Sequence, residues 1–250
     1  MSRPAAPRPG LFVTGTDTGV GKTTVAVALA RLALRRGLVP IPFKPVETGC
    51  DPEPDDARRL WEAARPPITL RETCPVALKL PAAPAAAAAA EERRLDLEEL
   101  TSHADNIAAR GDFLIVEGAG GLLVPYAASW TNADLAFRLR LPVLVIGRAA
   151  LGTINHVALT LAELSRRRLS CAGVVLVRTA ELAGAHEPSN GPLIEALTGT
   201  RPLGTLPFLS ALVRTNPESA ADALERALTA EGVSRLLAAQ VTEGALERFG

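Results

Sequence analysis

The chain has 250 residues, of which 27 are basic and 27 acidic, so its formal net charge is zero, and 48% of its residues are hydrophobic. Balanced charge leaves no electrostatic footprint for nucleic acid or an anionic membrane, and no apolar run approaches the roughly 20 residues of a membrane span. The length suits a single α/β domain over 1–250.

The opening stretch "MSRPAAPRPG" has no apolar signal core, which predicts a flexible tail over 1–10 and a cytoplasmic location. Leu11 to Val13 then reads as a short buried strand. Val25, Leu29, Leu32 and Leu34 recur at roughly helical spacing until Gly37. Between them lies "GTDTGVGKTT", with Gly15, Thr16, Asp17, Thr18, Gly19, Val20 and Gly21 leading into Lys22, Thr23 and Thr24. A glycine-rich loop ending in Gly-Lys-Thr between a strand and a helix fits the phosphate-binding loop. Its backbone N–H groups cradle phosphate oxygens, its Lys reaches the outer phosphates and its Thr binds Mg²⁺. Gly15 is read as the first glycine of that loop.

Further apolar segments bounded by turn residues recur at Leu38 to Phe43, Phe113 to Val116, Pro142 to Ile146, Ala172 to Val177 and Leu203 to Leu206. Helical patterns cover Asn132 to Arg140, Ile154 to Arg168 and Pro192 to Leu197. Continuous β-rich runs alternating with helices predict an α/β fold, a mostly parallel twisted sheet with helices on both faces. Asp51 to Arg110 shows no clear strand, and its tract "PAAPAAAAAAEERR" reads as a turn followed by an Ala-rich surface helix. From Glu218 the pattern is amphipathic helix, with Gly232 a break, which makes 218–250 a C-terminal helical segment. The three cysteines, Cys50, Cys74 and Cys171, are scattered without a CxxC pair and read as reduced, incidental thiols.

In a parallel sheet every strand delivers its C-terminal residue to one edge, where ligands bind. Lysine is scarce: Lys22, Lys44 and Lys79 are the only three among 27 basic residues, the other 24 being Arg. Arg's rigid fork does not replace a compact ammonium, so Lys44, at the end of the second strand in "IPFKPVETG", stands out. Glu117 ends the third strand in "FLIVEGAGG". A buried strand ending in a carboxylate positions Mg²⁺ or its waters opposite Thr23, and Gly118 and Gly120 behind it permit close backbone approach. Asp55 and Asp56 follow a Pro at a helix start, where either can cap the helix or supply another metal oxygen; spacing alone does not choose between them. In "ALGTINH", Leu151 and Gly152 end a loop and Thr153 begins a helix whose free N–H groups make a carboxylate site. His156 reads as a packing or interface residue.

"GTDTGVGKT", "KPVETG", "VEGAGG" and "LGTINH", in this order and at these intervals, resemble dethiobiotin synthetase, and the likeness runs from about Phe12 to Pro207. The resemblance implies a P-loop NTPase fold and an ATP- and Mg²⁺-dependent ligase of biotin biosynthesis. Such enzymes are homodimers that turn 7,8-diaminononanoate and CO2 into the cyclic urea dethiobiotin. One amine takes up CO2 as a carbamate, a carbamate oxygen attacks the γ-phosphate, and the second amine closes the ring with loss of phosphate. By the same resemblance Lys22 and Lys44 are catalytic, and Thr18 and Thr48 are the small hydroxyls of the substrate pocket. Asp56, the aspartate followed by Ala, joins Thr23 and Glu117 around the metal. Asn155, with Gly152 and Thr153, receives the substrate carboxylate from the neighbouring subunit. Backbone near Pro207 lines the base pocket, while the asparagine that reads adenine in the family is replaced by Val177.

Two rivals share parts of this pattern. Partitioning ATPases carry a second, signature lysine in the loop where this chain has Thr18. Amidotransferase-coupled ligases of the cobyrinic acid synthase type continue into a glutaminase domain, for which 250 residues leave no space.

Overall fold

Six of the apolar runs lie side by side, and all but the edge run at Leu203 to Leu206 are buried on both faces, which only a sheet covered by helices on both sides can satisfy. The computed structural model describes residues 9–238. Its first half runs β1 (Gly10–Gly15), α1 (Lys22–Arg35), β2 (Pro40–Phe43), β3 (Val46–Thr48), α2 (Asp55–Ala64), α3 (Leu70–Thr73), β4 (Val76–Leu78), α4 (Pro84–Ala90) and α5 (Leu97–Ala108). There follow β5 (Phe113–Gly121), β6 (Pro125–Ala127), β7 (Trp130–Thr131), α6 (Asn132–Leu139), β8 (Val143–Arg148) and α7 (Thr153–Arg166). The last elements are β9 (Cys171–Val177), α8 (Glu187–Thr198), β10 (Gly204–Leu206), α9 (Ala211–Thr215), α10 (Pro217–Ala227) and α11 (Ala230–Leu237).

The main sheet has the order β10-β9-β8-β1-β5-β2, and every pairing in it is parallel. Alternate residues of one strand enter opposite cores, as a pleated strand requires. In β1, Leu11 and Val13 join Ile115, Leu144 and Val175 beneath α1, α2, α10 and α11. Phe12 joins Ile41, Phe43, Val116 and Val145 on the other face, with α4 to α8. The result is the predicted three-layer α/β fold. From β1 the chain crosses to the β5–β2 side, and from β8 it crosses to β9, so β1 and β8 flank the point where the winding reverses. Ligands bind at such a point, outside the carboxyl ends of the strands.

Four local expectations are corrected. Gly10 belongs to β1 rather than to a tail, and 1–8 lies outside the described residues. The 51–110 segment does hold a strand, β4, which pairs in parallel with β3; three-residue strands leave no periodicity to read. The alanine tract does form a helix, α4, exposed at Ala86, Ala89 and Ala90, but its other face is core, with Ala87 and Ala88 buried. Gly232 does not break a helix but sits inside α11, where the Thr229 hydroxyl caps its N–H at 3.0 Å; the break falls at Leu228. The remainder of the predicted helical segment, 239–250, lies outside the described residues. Among the described residues no helix is long and apolar enough to cross a membrane.

Candidate active site

The loop after β1 is closed on itself before any ligand is considered. Lys22 Nζ donates to the Asp17 carbonyl at 3.1 Å, and the Asp17 carboxylate accepts the Thr18 N–H at 2.7 Å. Five residues separate Gly15 from Gly21, one more than in the G-x-x-x-x-G-K-[ST] spacing. Gly15 is thus the last residue of β1 rather than the loop's first. A side chain there would still be excluded, because a Cβ would stand 2.6 Å from the Asp17 carbonyl. Gly21, at φ +101°, caps α1 and lies so close over Val177 that a Cβ would meet its Cγ1 at 2.9 Å. Val20 is fully buried and pins the loop to the core.

Two strands and helix α2 then converge on this loop, with Glu117 midway along β5 rather than at its end. Lys44 follows β2, and its Nζ donates to Glu117 Oε1 of β5 at 2.5 Å and to Asp56 Oδ2 of α2 at 3.3 Å. The Thr23 hydroxyl donates to the same Glu117 Oε1 at 2.9 Å. Both aspartates border the site, but only Asp56 bonds Lys44. Asp55 is exposed and paired with Arg58, one helical turn on, at 2.5 Å.

Burial sets the electrostatics. It lowers the Lys22 ammonium's affinity for its proton, and Lys44 nearby adds to that, against the pull of Glu117. For Lys44 the same desolvation is outweighed by Glu117 and Asp56, which hold it firmly charged. Burial raises the Asp56 carboxyl, but Lys44, a hydrogen bond with Thr23 and Arg59 together bring it below its ordinary value. The second oxygen of Glu117, Oε2, is buried with no partner. An ionised carboxylate oxygen in that condition fits a hard cation, and hydroxyl plus carboxylate oxygens are the donors that Mg²⁺ takes. Among the described residues no cluster of three or more His, Cys, Asp or Glu forms a metal cage. Such an ion would therefore complete its shell with water and phosphate oxygens, as Mg²⁺ does.

A cleft of about 900 Å³ opens over this centre. It is lined by Thr18, Gly19, Gly21, Lys22, Thr23, Thr24, Lys44, Thr48, Asp55, Asp56, Glu117 and Gly120, which the sequence had singled out, and by an apolar wall of Pro81, Ala82, Pro84 and Val124. Gly118 does not line the cleft: a Cβ there would collide with Asn132 Oδ1 at 2.5 Å, so its glycine serves packing. Pro207 follows Leu206, which pairs with Val177, and is exposed beyond the sheet edge. Gly152, Thr153 and Asn155 are not brought into the same chain's cleft. Gly152 caps α7 at φ +88°, and Asn155 and His156 are exposed. Thr153 is buried toward Gly147, and its N–H turns back to the Ala150 carbonyl at 3.2 Å rather than standing free.

Sequence reasoning missed several supports of this site. Glu47 accepts the N–H groups of Asp56 and Ala57, each at 2.9 Å. Arg148, at the end of β8, donates to the Asp17 carboxylate and the Thr18 carbonyl, both at 2.9 Å. The Asn132 amide donates to the Ala119 and Gly121 carbonyls at 2.7 Å and holds the tail of β5 in place. Glu47 lies inside "KPVETG" and Arg148 just before "ALGTINH", so proximity to motifs was the available signal.

Comparison with known proteins agrees with this geometry. A family described as an AAA domain matches residues 9–216. The chain is 51% identical over 200 residues to an ATP-dependent dethiobiotin synthetase of Anaeromyxobacter dehalogenans (strain 2CP-1), covering 80% of this chain and 90% of that one. It is 42% identical over 193 residues to the enzyme of that name from Aquifex aeolicus (strain VF5), covering 77% and 86%. A third, from Bacillus cereus (strain B4264), is 38% identical over 204 residues, covering 80% and 84%. Among solved structures, the MinD cell division protein of Aquifex aeolicus superposes with a TM-score of 0.55 at 13% identity over 92% of this chain and 95% of that one. A ParA family ATPase of Chlorobium tepidum does so with 0.52 at 12% over 92% and 96%. These two show the fold alone. With the phosphate loop, Lys44 and Glu117 on one sheet edge and half of 200 aligned residues shared, the chain belongs to the ATP-dependent dethiobiotin synthetases.

Proposed function

We infer that the protein uses ATP to close 7,8-diaminononanoate and CO2 into dethiobiotin, a ligase step of biotin biosynthesis, and that the residues gathered around Glu117 carry the reaction. The observation that supports this most is that Thr23 and Lys44 both bond that carboxylate, Asp56 joins them through Lys44, and Lys22 lines the same apolar-walled cleft. Little acid–base machinery is required. A carbamate formed on one substrate amine is itself the nucleophile, so the protein's task is to hold it in line with the γ-phosphoryl group and to offset the charge that develops there. Lys22, closing the loop, is placed for the phosphoryl oxygens. Lys44 is placed between those oxygens and the carbamate. The wall of Pro81, Ala82, Pro84 and Val124 suits the substrate's hydrocarbon chain, and Thr18 and Thr48 suit its polar head.

Thr23, Asp56 and Glu117 would hold Mg²⁺ or its waters, and the ion would supply positive charge against the nucleotide phosphates. We set the carboxylate end of the substrate against Asn155 of a second copy, because Asn155 does not line its own chain's cleft while Leu151, just before α7, and Leu159, on α7, are exposed. A homodimer in the cytoplasm, without nucleic acid or membrane, is the assembly that this reading takes.

ADP release tests it. Stimulation by diaminononanoate plus bicarbonate supports the ligase. Stimulation by nucleic acid instead would favour a partitioning switch, and stimulation by glutamine an amidotransferase-coupled ligase.

A further inference from the structure

Helix α2 carries Asp56, yet it begins without a cap of its own. Its N-cap residue is Pro54, which has no side-chain acceptor, and the first-turn N–H groups of a helix need one. The acceptor comes from another element. Glu47, the middle residue of β3, directs its carboxylate onto the start of α2, where Oε1 accepts the Asp56 N–H and Oε2 the Ala57 N–H, each at 2.9 Å. Both oxygens are thus engaged with consecutive amides, one of them that of Asp56 itself. Glu47 is only 8% exposed, so the two bonds are sheltered from water. Its own backbone is fixed as well: it faces Ala77 in the β3–β4 ribbon, and Lys44, three residues earlier, donates its N–H to the Thr73 carbonyl at 2.8 Å.

We propose that Glu47 is a positioning residue for the metal–nucleotide site, setting where the Asp56 carboxylate stands by gripping the backbone of α2 from β3. The claim rests on the reading that Asp56 serves Mg²⁺. A two-point grip fixes both the translation and the tilt of the first turn, and Asp56 is the first-turn residue whose side chain bonds Lys44 in the site. Partners of a metal ligand that act in this way typically change metal affinity by 10–100-fold when removed. A mere helix cap would stabilise α2 without caring which ligand α2 carries.

The test is calorimetric binding of ADP to the purified full chain at a series of Mg²⁺ concentrations and without Mg²⁺, which needs no turnover. Glu47→Ala is expected to raise the Mg²⁺ concentration for half-maximal enhancement roughly tenfold or more, leave Mg²⁺-free ADP binding within about twofold, and add nothing further when combined with Asp56→Asn. Glu47→Gln, which keeps the volume and one acceptor oxygen, should fall between wild type and Ala, and it decides the matter by the same readout should the Ala variant not fold. An unchanged Mg²⁺ dependence in the folded variants would overturn the proposal, as would an effect fully additive with Asp56→Asn or an equal loss with and without Mg²⁺. If Asp56→Asn itself leaves the Mg²⁺ dependence untouched, the metal reading of Asp56 fails, and the proposal for Glu47 fails with it. If Asp56→Asn shifts it and Glu47→Ala does not, only the Glu47 proposal fails.

Discussion

Lys44 Nζ and Glu117 Oε1 stand 2.5 Å apart, with the two side chains 5% and 1% exposed. Removing one member of such a pair leaves the other charge buried and uncompensated, which typically costs about 3–5 kcal/mol. Lys44→Gln is therefore expected to lower the melting temperature of the ligand-free protein and to cut turnover by roughly 10² or more. Lys22→Gln should cut turnover as deeply without that loss of stability, since Lys22 is desolvated beside Lys44 and its charge is held at a cost. Thermal melts and steady-state rates on both variants check this; near-normal turnover in either would remove that lysine from the chemistry.

The two aspartates of α2 should separate cleanly. Asp56 faces Lys44 and Thr23, whereas Asp55 is engaged with Arg58 at the surface. Asp56→Asn and Glu117→Gln are each expected to raise the Mg²⁺ concentration for half-maximal activity, and Asp55→Asn to leave it unchanged. A shift in the Asp55 variant alone would move the ligand by one residue.

Hybrid dimers test the shared site. If Asn155 acts across an interface, mixing Asn155→Ala with Lys22→Gln should restore activity to dimers in which one site draws on two intact contributions. With subunit exchange shown independently by mass spectrometry, absence of rescue would place the carboxylate pocket within one chain.

Base selectivity follows from what lies under the loop. Val177 is buried against Gly21 and offers neither donor nor acceptor, where an amide could exchange two hydrogen bonds with adenine. Shape and stacking alone discriminate weakly, so GTP or CTP is expected to support the reaction within about tenfold of ATP in kcat/KM, under ~1.4 kcal/mol. Val177→Asn should shift preference toward ATP. A wild-type preference of a thousandfold or more would mean that another part of the chain reads adenine.

Five strands of the main sheet were legible because parallel strands buried on both faces are continuously apolar, with the edge strand β10 an exception at exposed Thr205, and Lys44 and Glu117 were legible because the strands present their carboxyl ends to one edge. Asp55 and Asp56 were not separable on spacing, since the choice depends on the rotation of α2, which is set by Glu47 across the chain. The alanine tract was legible as a helix with an exposed face but not for its buried one, because a methyl side chain fits surface and core equally, and Ala87 and Ala88 are core. Gly232 misled because a nearby Thr229 cap starts a new helix through it, so the local capping bond outweighed glycine's cost.

The central claim is most directly tested by incubating the protein with diaminononanoate, MgATP and ¹³C-bicarbonate and analysing the product by mass spectrometry. The expected product is dethiobiotin carrying a single ¹³C at the ureido carbon, with one ADP and one phosphate formed per ring closed. ATP hydrolysis without labelled dethiobiotin, or an unlabelled product, would contradict it.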